Sequence, residues 1–335
     1  MSWKGNIQNA ALCVGIAGVT LLAVRRAVLY FRTRCPSRAL MVGKTVIVTG
    51  ANCGIGYETA LNLAGRKARV ILACRDLGKA QTAATRISKI TGNTDVLAKK
   101  LDLASLKSVR EFCSDVNKTE PKLDVLINNA GVMNCPFSLT EDGFENHLAV
   151  NHFGNFLLTN LLKDLLYKAE DSRVVFVSSA LHKYGTVRLE NLNSEENYKQ
   201  GKPYADSKLM NLLFAREFHN RFGKDGKICV YSMHPGMVRT RLGRYTILYN
   251  RYFQIFGFPL YALLYSLYFL LIKSAREGCQ TVVYCAVAPE LQGQSDCYYG
   301  NFKKEPWSKP ASDLDLAKKV WEISEDKIKC SDKMQ

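Results

Sequence analysis

Lys44-Thr-Val-Ile-Val-Thr-Gly-Ala-Asn-Cys-Gly-Ile-Gly56 decides how this chain is read. Thr45–Thr49 is a short β-branched run, the composition of a buried strand. Gly50, Gly54 and Gly56 follow at once, and then Ile55, Thr59, Ala60, Leu63 and Ala64 recur on one face of a helix. Strand, glycine turn and helix make a cradle for a nucleotide pyrophosphate. Glycine lets the backbone approach the phosphates, and the helix start supplies unpaired N–H groups and the positive end of a dipole. Gly50, Asn52, Cys53, Gly54, Ile55 and Gly56 are the candidate cradle residues. A plain left-handed turn would also use glycine, so the flanking sequence has to decide.

Working outward, Arg69–Cys74 reads as a second strand, with no acid at its end and Arg75 next. An acid at that place takes the ribose hydroxyls of NAD in dinucleotide folds. A guanidinium suits the 2′-phosphate of NADP instead, and Lys79 lies one helical turn on. The plain alternative is a pair of solvated helix-start charges, with Asp76 as N-cap of a helix through Ile90. Val96–Leu101 is a third strand before Asp102, Ser105–Asn117 a helix, and Leu123–Ile127 a fourth strand ending in Asn128-Asn129-Ala130-Gly131. Glu141–Lys168 reads as one long helix carrying Asn151, a poor residue for mid-helix.

Arg173–Val177 is a fifth strand, with Ser178 and Ser179 at its carboxyl end, where open α/β sheets bind ligands. Pro203 suits a first helical turn, so Tyr204 and Lys208 share one face of the helix that starts there. Reducing a carbonyl requires a hydride on carbon and a proton on oxygen. A free tyrosine titrates near ~10 and is sluggish as a base at neutral pH. An ammonium about 4–6 Å away would favour the phenolate by roughly two pKa units. Ile228–Met233 is a sixth strand leading into His234-Pro-Gly-Met-Val-Arg-Thr240, where His234 reads as structural. A helix over Ser274–Ala288, a last strand at Cys297–Tyr299, a surface-like Lys303–Pro310 and a helix over Ser312–Ile323 complete the chain. Residues 326–335 read as a frayed tail.

The 335 residues carry a net charge of +16 and 47% apolar residues, enough for one large α/β domain. Residues 1–57 hold seven basic residues and no acid. An apolar run at Ala10–Val24 followed by Arg25 and Arg26 reads as a membrane anchor with residues 1–40 as anchor and linker, and the domain on the cytosolic side. A mitochondrial address and a cleaved signal are the rivals. A basic end beside an apolar run points to membrane lipid, and no nucleic-acid-binding pattern is present. Eleven cysteines without regular spacing read as reduced thiols, with Cys53, Cys74 and Cys285 inside apolar patterns, and the five histidines show no metal-ligand spacing. Residues 242–272 are a largely uncharged aromatic insert, read as a lid over an apolar substrate or a membrane contact, against an ordinary buried helix pair.

Thr-Gly-x3-Gly-x-Gly, Asn-Asn-Ala-Gly, Val-Asn-His-Phe-Gly, Ser179 with Tyr204-x3-Lys208 and Pro-Gly-x3-Thr occur in the order that resembles the classical short-chain dehydrogenase/reductase family. Ala-Cys-Arg-Asp, Asn-His-Phe-Gly and His-Pro-Gly-Met-Val-Arg-Thr resemble its retinol dehydrogenase 11–14 branch. The resemblance covers about residues 42–325 and implies a Rossmann-type, doubly wound parallel sheet of about seven strands within a catalytic domain at 41–325. It implies a catalytic set of Asn151, Ser179, Tyr204 and Lys208, with Ser179 and Tyr204 on the substrate and Lys208 also on the nicotinamide ribose. Asp102 would contact the adenine, Asn129, Ala130 and Gly131 would leave room for the ribose, and Pro235, Gly236, Val238 and Thr240 would set the nicotinamide face. It further implies NADPH rather than NADH and a lipophilic, retinoid-like aldehyde or alcohol as substrate. Attachment to the endoplasmic reticulum membrane (alternatively a mitochondrial one) and a homodimer through the Asn151 and Tyr204 helices also follow. A steroid or fatty-aldehyde reductase of the same family, or a non-catalytic NADP-binding protein, fits the same motifs.

Overall fold

Val46, Ile47 and Val48 have no exposed surface, and β1 (Thr45–Thr49) accordingly lies inside the sheet with a parallel neighbour on each side. The computed structural model describes residues 12, 15–16, 18–20, 22–27, 34–193, 198–199, 201–240, 242 and 272–334. Chain order runs β1, α1 (Gly54–Gly65), β2 (Arg69–Cys74), α2 (Leu77–Thr91), β3 (Val96–Lys100), α3 (Leu106–Thr119) and β4 (Val125–Asn128). It continues with α4 (Gly154–Leu161), α5 (Lys163–Tyr167), β5 (Ser172–Val177), α6 (Lys202–Phe222) and β6 (Ile228–His234). Then come α7 (Ala275–Gly278), α8 (Gln280–Val287), β7 (Cys297–Gly300), β8 (Lys303–Glu305) and α9 (Leu314–Met334).

The sheet order is β3-β2-β1-β4-β5-β6-β7-β8, parallel throughout except for β8. Two apolar layers cover it. Leu106, Phe153, Phe156, Phe214 and Trp321 pack on one face, and Leu63, Ala80, Val283 and Cys285 on the other. This is the doubly wound α/β architecture expected, with one strand more. β8 is short, charged and antiparallel, joined to β7 through Asn301 and Phe302, both at positive φ, as a two-residue hairpin turn demands. Lys-Lys-Glu has no apolar alternation to reveal it, and charge on an edge strand is a normal guard against further pairing.

The expected helix over Glu141–Lys168 is broken. Gly143 sits at φ +76 in a turn closed by its N–H on the Thr140 carbonyl, so the helix cannot begin at Glu141. The Glu145 carboxylate accepts from the N–H groups of His147 and Leu148 and caps a short turn at Asn146–Leu148. A π-helical turn, Ala149–Phe153, then widens the chain before α4, and a further break separates α4 from α5. The helix expected over Ser274–Ala288 is likewise divided, at Cys279. At the end of the chain α9 runs on to Met334, with Ile328 buried.

The described parts of the N-terminal apolar run are helical, with Leu12, Ile16, Val19 and Val24 exposed. The insert at 242–272 lies outside the described residues apart from Leu242 and Ile272. Among the described residues no helix is long and apolar enough to cross a membrane. The chain at Ser37–Ala39 is tied to the domain by Arg66, whose guanidinium donates to the Ser37 and Ala39 carbonyls at 2.7 Å.

His152, on the π turn, is fully buried among Phe153, Phe156 and Phe214. Ser324 donates its hydroxyl to the Val320 carbonyl, so it accepts from His152 Nε2–H at 2.8 Å. His152 Nδ1 is then a lone-pair nitrogen, buried without a partner. Burial pushes the His152 pKa down to about 3. The unfolded chain, near its ordinary value of ~6.5, takes up a proton that the folded chain refuses. Stability should therefore fall as pH drops from 6.5, at a slope approaching about 1.4 kcal/mol per pH unit from this residue alone. Urea unfolding between pH 7 and 5 checks this, and His152→Gln, which keeps a donor for Ser324, should flatten the profile.

Candidate active site

The carboxyl ends of β1 and β4 meet where the strand order reverses, and the glycine turn forms there. Thr49 Oγ1 accepts from the N–H groups of Asn129 and Ala130, both at 2.9 Å, and Asn129 Nδ2 donates to the Thr49 carbonyl at 2.7 Å. A Cβ on Gly50 would lie 3.0 Å from Ala130 Cα, and one on Gly56 would lie 2.5 Å from both Asn129 Nδ2 and the Gly50 oxygen. These glycines are there because two backbones and an amide occupy the space of a side chain. Gly54 is at φ +61. No side chain caps the start of α1, which leaves its first-turn N–H groups for an anion.

Cys53, at that N-cap position, is exposed rather than packed in an apolar element as its sequence context suggested. Asn52 and Ile55 are half-buried, and Ile55 packs on the core beneath. Burial raises the Cys74 thiol to about 11, against the hydrogen bonds it receives from the Ala51 and Asn52 backbone. The end of β2 thereby braces the turn.

β5 and α6 position the candidate reacting groups. Ser179 begins a 3₁₀ turn, Ala180–Tyr184, and its Oγ accepts from Leu181 N at 3.2 Å. Tyr204 is 4% exposed, with the Ser179 hydroxyl beside it. Lys208 is buried one turn along, with Nζ 5.8 Å from the Tyr204 ring centre and donating to the Val177 carbonyl at 2.9 Å. Burial pushes Tyr204 up to about 12, opposed by the Ser179 bond, and pushes Lys208 down to about 8. The shift runs opposite to the expectation that Lys208 would draw the phenol down, because desolvation is the largest cause acting on both groups.

Asn151 completes this end of the site. The π turn aims its side chain so that Oδ1 accepts from Val132 N at 2.8 Å while Nδ2 donates to the Val132 carbonyl and to Ser207 Oγ. A Cβ on Gly131 would lie 3.1 Å from Asn151 Oδ1 and 3.4 Å from Lys208 Nζ, so Gly131, Asn151 and Lys208 converge. After β6, Thr240 reaches the phosphate turn, its Cγ2 3.4 Å from the Cβ position of Gly54. Val238 packs on Gly278, and Lys273 Nζ donates to the Pro235 carbonyl at 3.2 Å beside Gly236 at φ +78. His234 faces Glu305 at 3.2 Å and stacks on Tyr298, a structural setting.

Three further candidates lie just beyond the ends of β2 and β3. Arg75 is exposed, Lys79 is ion-paired to Asp76, and Asp76 caps α2. Asp102 accepts from Ala104 N at 3.0 Å and so shapes its own turn. Sequence reasoning missed Thr49, Ser207 and the Val132 and Val177 carbonyls as supports. Ser207, one helical turn after Tyr204, is the one with a detectable signal. Ser178, the other candidate serine, is buried with its Oγ donating to the Lys208 carbonyl at 3.0 Å. Among the described residues no group of side chains could hold a metal ion.

A phosphate cradle at the strand-order switch, facing a buried tyrosine and lysine, defines an α/β oxidoreductase of the short-chain type. The chain belongs to the short-chain dehydrogenase/reductase family, in its retinol dehydrogenase branch. A family profile described as short chain dehydrogenase matches residues 44–247. The chain is 42% identical to human retinol dehydrogenase 14, covering 94% of this chain and 96% of that protein. Mouse retinol dehydrogenase 13 is 46% identical over 86% of this chain and 84% of its own length. A protein of Mycobacterium paratuberculosis shares the fold at a TM-score of 0.68 and 33% identity, with 88% of this chain and 97% of that one covered. A Shigella flexneri short chain dehydrogenase complexed with NADP shares it at a TM-score of 0.62 and 20% identity, over 80% and 100%.

Gly56 lies inside a helix, where Gly→Ala ordinarily stabilises by about 0.5–1 kcal/mol. Here the added methyl would meet backbone oxygen at 2.5 Å. Gly56→Ala should instead destabilise by about 1–3 kcal/mol, read as a lower urea midpoint, whereas Gly92→Ala, where a Cβ meets nothing within 4 Å, should cost only its φ +71 strain.

Proposed function

We propose that the chain is an NADP(H)-dependent oxidoreductase that interconverts a lipophilic, retinol-like alcohol and its aldehyde, with Tyr204 as acid and base. The observation that carries this is the buried Tyr204, with Ser179 beside it and Lys208 behind it, at the carboxyl end of the sheet. The cofactor, when bound, supplies or accepts the hydride. The cradle at Gly50, Gly54 and Gly56, with the bare start of α1, suits its pyrophosphate. Asn129 and Gly131 would flank its ribose and Thr240 its carboxamide.

With its pKa near 12, Tyr204 holds its proton at neutral pH and serves as the acid toward a developing alkoxide. Lys208, near 8, stays largely an ammonium at pH 7, and its remaining N–H groups can meet a ribose hydroxyl. Ser179 would hold the substrate oxygen against Tyr204 as charge develops on it. Asn151 keeps the Gly131–Val132 wall in place and would position a water that passes protons inward from solvent.

The substrate class rests on the named relatives and on the rim. Phe137 and Leu139 after β4, Leu181 and Tyr184 after β5, and Met237 after β6 are all exposed. An apolar rim serves a steroid or fatty aldehyde equally well, which is the second reading. A non-catalytic NADP-binding protein would have no use for the buried Tyr204 and Lys208. The N-terminal apolar run and the insert at 242–272 support attachment to the endoplasmic reticulum membrane with the domain in the cytosol, and a mitochondrial membrane is the alternative. Self-association through the π-turn segment and α6 rests on the resemblance alone.

A panel of retinal, steroid and fatty aldehydes followed at 340 nm with both cofactors tests the reading. Tyr204→Phe should lower kcat by about 10²–10⁴-fold, the share of acid–base catalysis, and leave NADPH affinity nearly intact. Substantial residual turnover would remove Tyr204 from the reaction. Arg75→Ala should weaken NADPH by about 1.5–3 kcal/mol through loss of a charge-assisted bond, with NADH almost unaffected. Equal loss for both cofactors would show that Arg75 does not read the 2′-phosphate.

A further inference from the structure

His182 is a fully buried side chain for which the chemistry above has no use. It sits on the 3₁₀ turn that Ser179 opens. The Ser179 carbonyl receives two donors, the backbone N–H of His182 at 3.0 Å and its ring Nδ1 at 2.7 Å. A carbonyl oxygen only accepts, so Nδ1 carries the ring proton and Nε2 is the lone-pair nitrogen. Nε2 is buried without a hydrogen-bond partner, as is the hydroxyl of Tyr298. The ring meets Tyr298 edge-on at 5.3 Å, and Tyr298 in turn stacks between His234 and Trp307, each at 5.6 Å. Burial, partly opposed by the bond to Ser179, keeps His182 below the usual histidine range. At neutral pH the ring is therefore uncharged and held in one tautomer.

A buried ring with an orphaned nitrogen is a costly way to fill space. What the imidazole gains there is the short bond to Ser179. With its carbonyl clamped and its Oγ already accepting from Leu181 N, Ser179 has little freedom left. Its side chain is held beside Tyr204.

We propose that His182 is a positioning residue for the reaction: its Nδ1–H clamps the Ser179 carbonyl and so fixes where the Ser179 hydroxyl meets Tyr204 and the substrate oxygen. This rests on the roles given above to Ser179 and Tyr204.

Three variants test it. His182→Asn keeps an N–H donor at the place of Nδ1, His182→Gln moves the donor out toward Nε2, and His182→Leu removes it. The measurements are kcat and KM for retinal reduction, NADPH affinity, and amide hydrogen exchange over residues 178–185. His182→Asn should stay within about threefold of the wild type in kcat. The Gln and Leu variants should lose about tenfold to a hundredfold, the effect of a misplaced reacting group. KM and NADPH affinity should hold in all three, and exchange over 178–185 should speed up only for Gln and Leu. Equal losses in all three variants, no loss in any, or a change confined to KM would each overturn the proposal. If the Leu variant does not fold, the Asn–Gln comparison decides. Should the wild type fail to reduce retinal, the catalytic reading falls while hydrogen exchange still judges the clamp: equal protection in the Asn and Gln variants would reject it.

Discussion

The Thr49 hydroxyl and the Asn129 amide lace the carboxyl ends of β1 and β4 together, and the rest of the site depends on that contact. The packing is so close that a Cβ on Gly56 would lie 2.5 Å from its neighbours and one on Gly50 3.0 Å. Because β1 turns toward β2 and β4 toward β5, the crossover helices leave on opposite faces and a crevice opens above this pair. The bare start of α1 points its N–H groups at that crevice. Thr240 comes across from the β6 side and closes it over Gly54. A substitution at this seam would disturb the sheet centre and the cradle together.

Desolvation governs the electrostatics of the neighbouring site. Tyr204 and Lys208 both lie out of water, and each is pushed toward its neutral form. Loss of hydration is the largest cause of both shifts. The site therefore favours a protonated phenol, which suits giving a proton to a carbonyl oxygen. Polar groups that support it are matched in pairs: Asn151 with Val132 and Ser207, Lys208 with Val177, Ser178 with the Lys208 carbonyl. That matching locks rotamers that a half-satisfied network would leave loose.

Much of this was legible one strand at a time. Periodicity and apolar runs located seven strands, most of them buried throughout, and the resemblance to the short-chain family was borne out by relatives covering most of the chain. β8 escaped because three charged residues on an edge carry no pattern. The break in the Asn151 helix escaped because Gly143 and Gly154 are tolerable in a helix by propensity alone. Only the turn at Thr140–Gly143 and the contact of Gly154 with the Leu103 carbonyl, 2.4 Å from its Cβ position, show why the chain bends there. Asp76, three residues before Lys79, pairs with it, a contact that the spacing alone did not indicate.

The sequence by itself determined the strand–glycine–helix cradle and the place of Tyr204 and Lys208 on one helix face, while the doubly wound class came from the family resemblance of its motifs. The first two follow from local periodicity and from residue types that few other backbones require. Tertiary structure alone decided that Asn151 would be held by Ser207, that His182 would clamp Ser179, and that Tyr204 would be raised rather than lowered in pKa. Those outcomes depend on contacts between residues far apart in the chain and on exclusion of water, neither of which a linear pattern encodes.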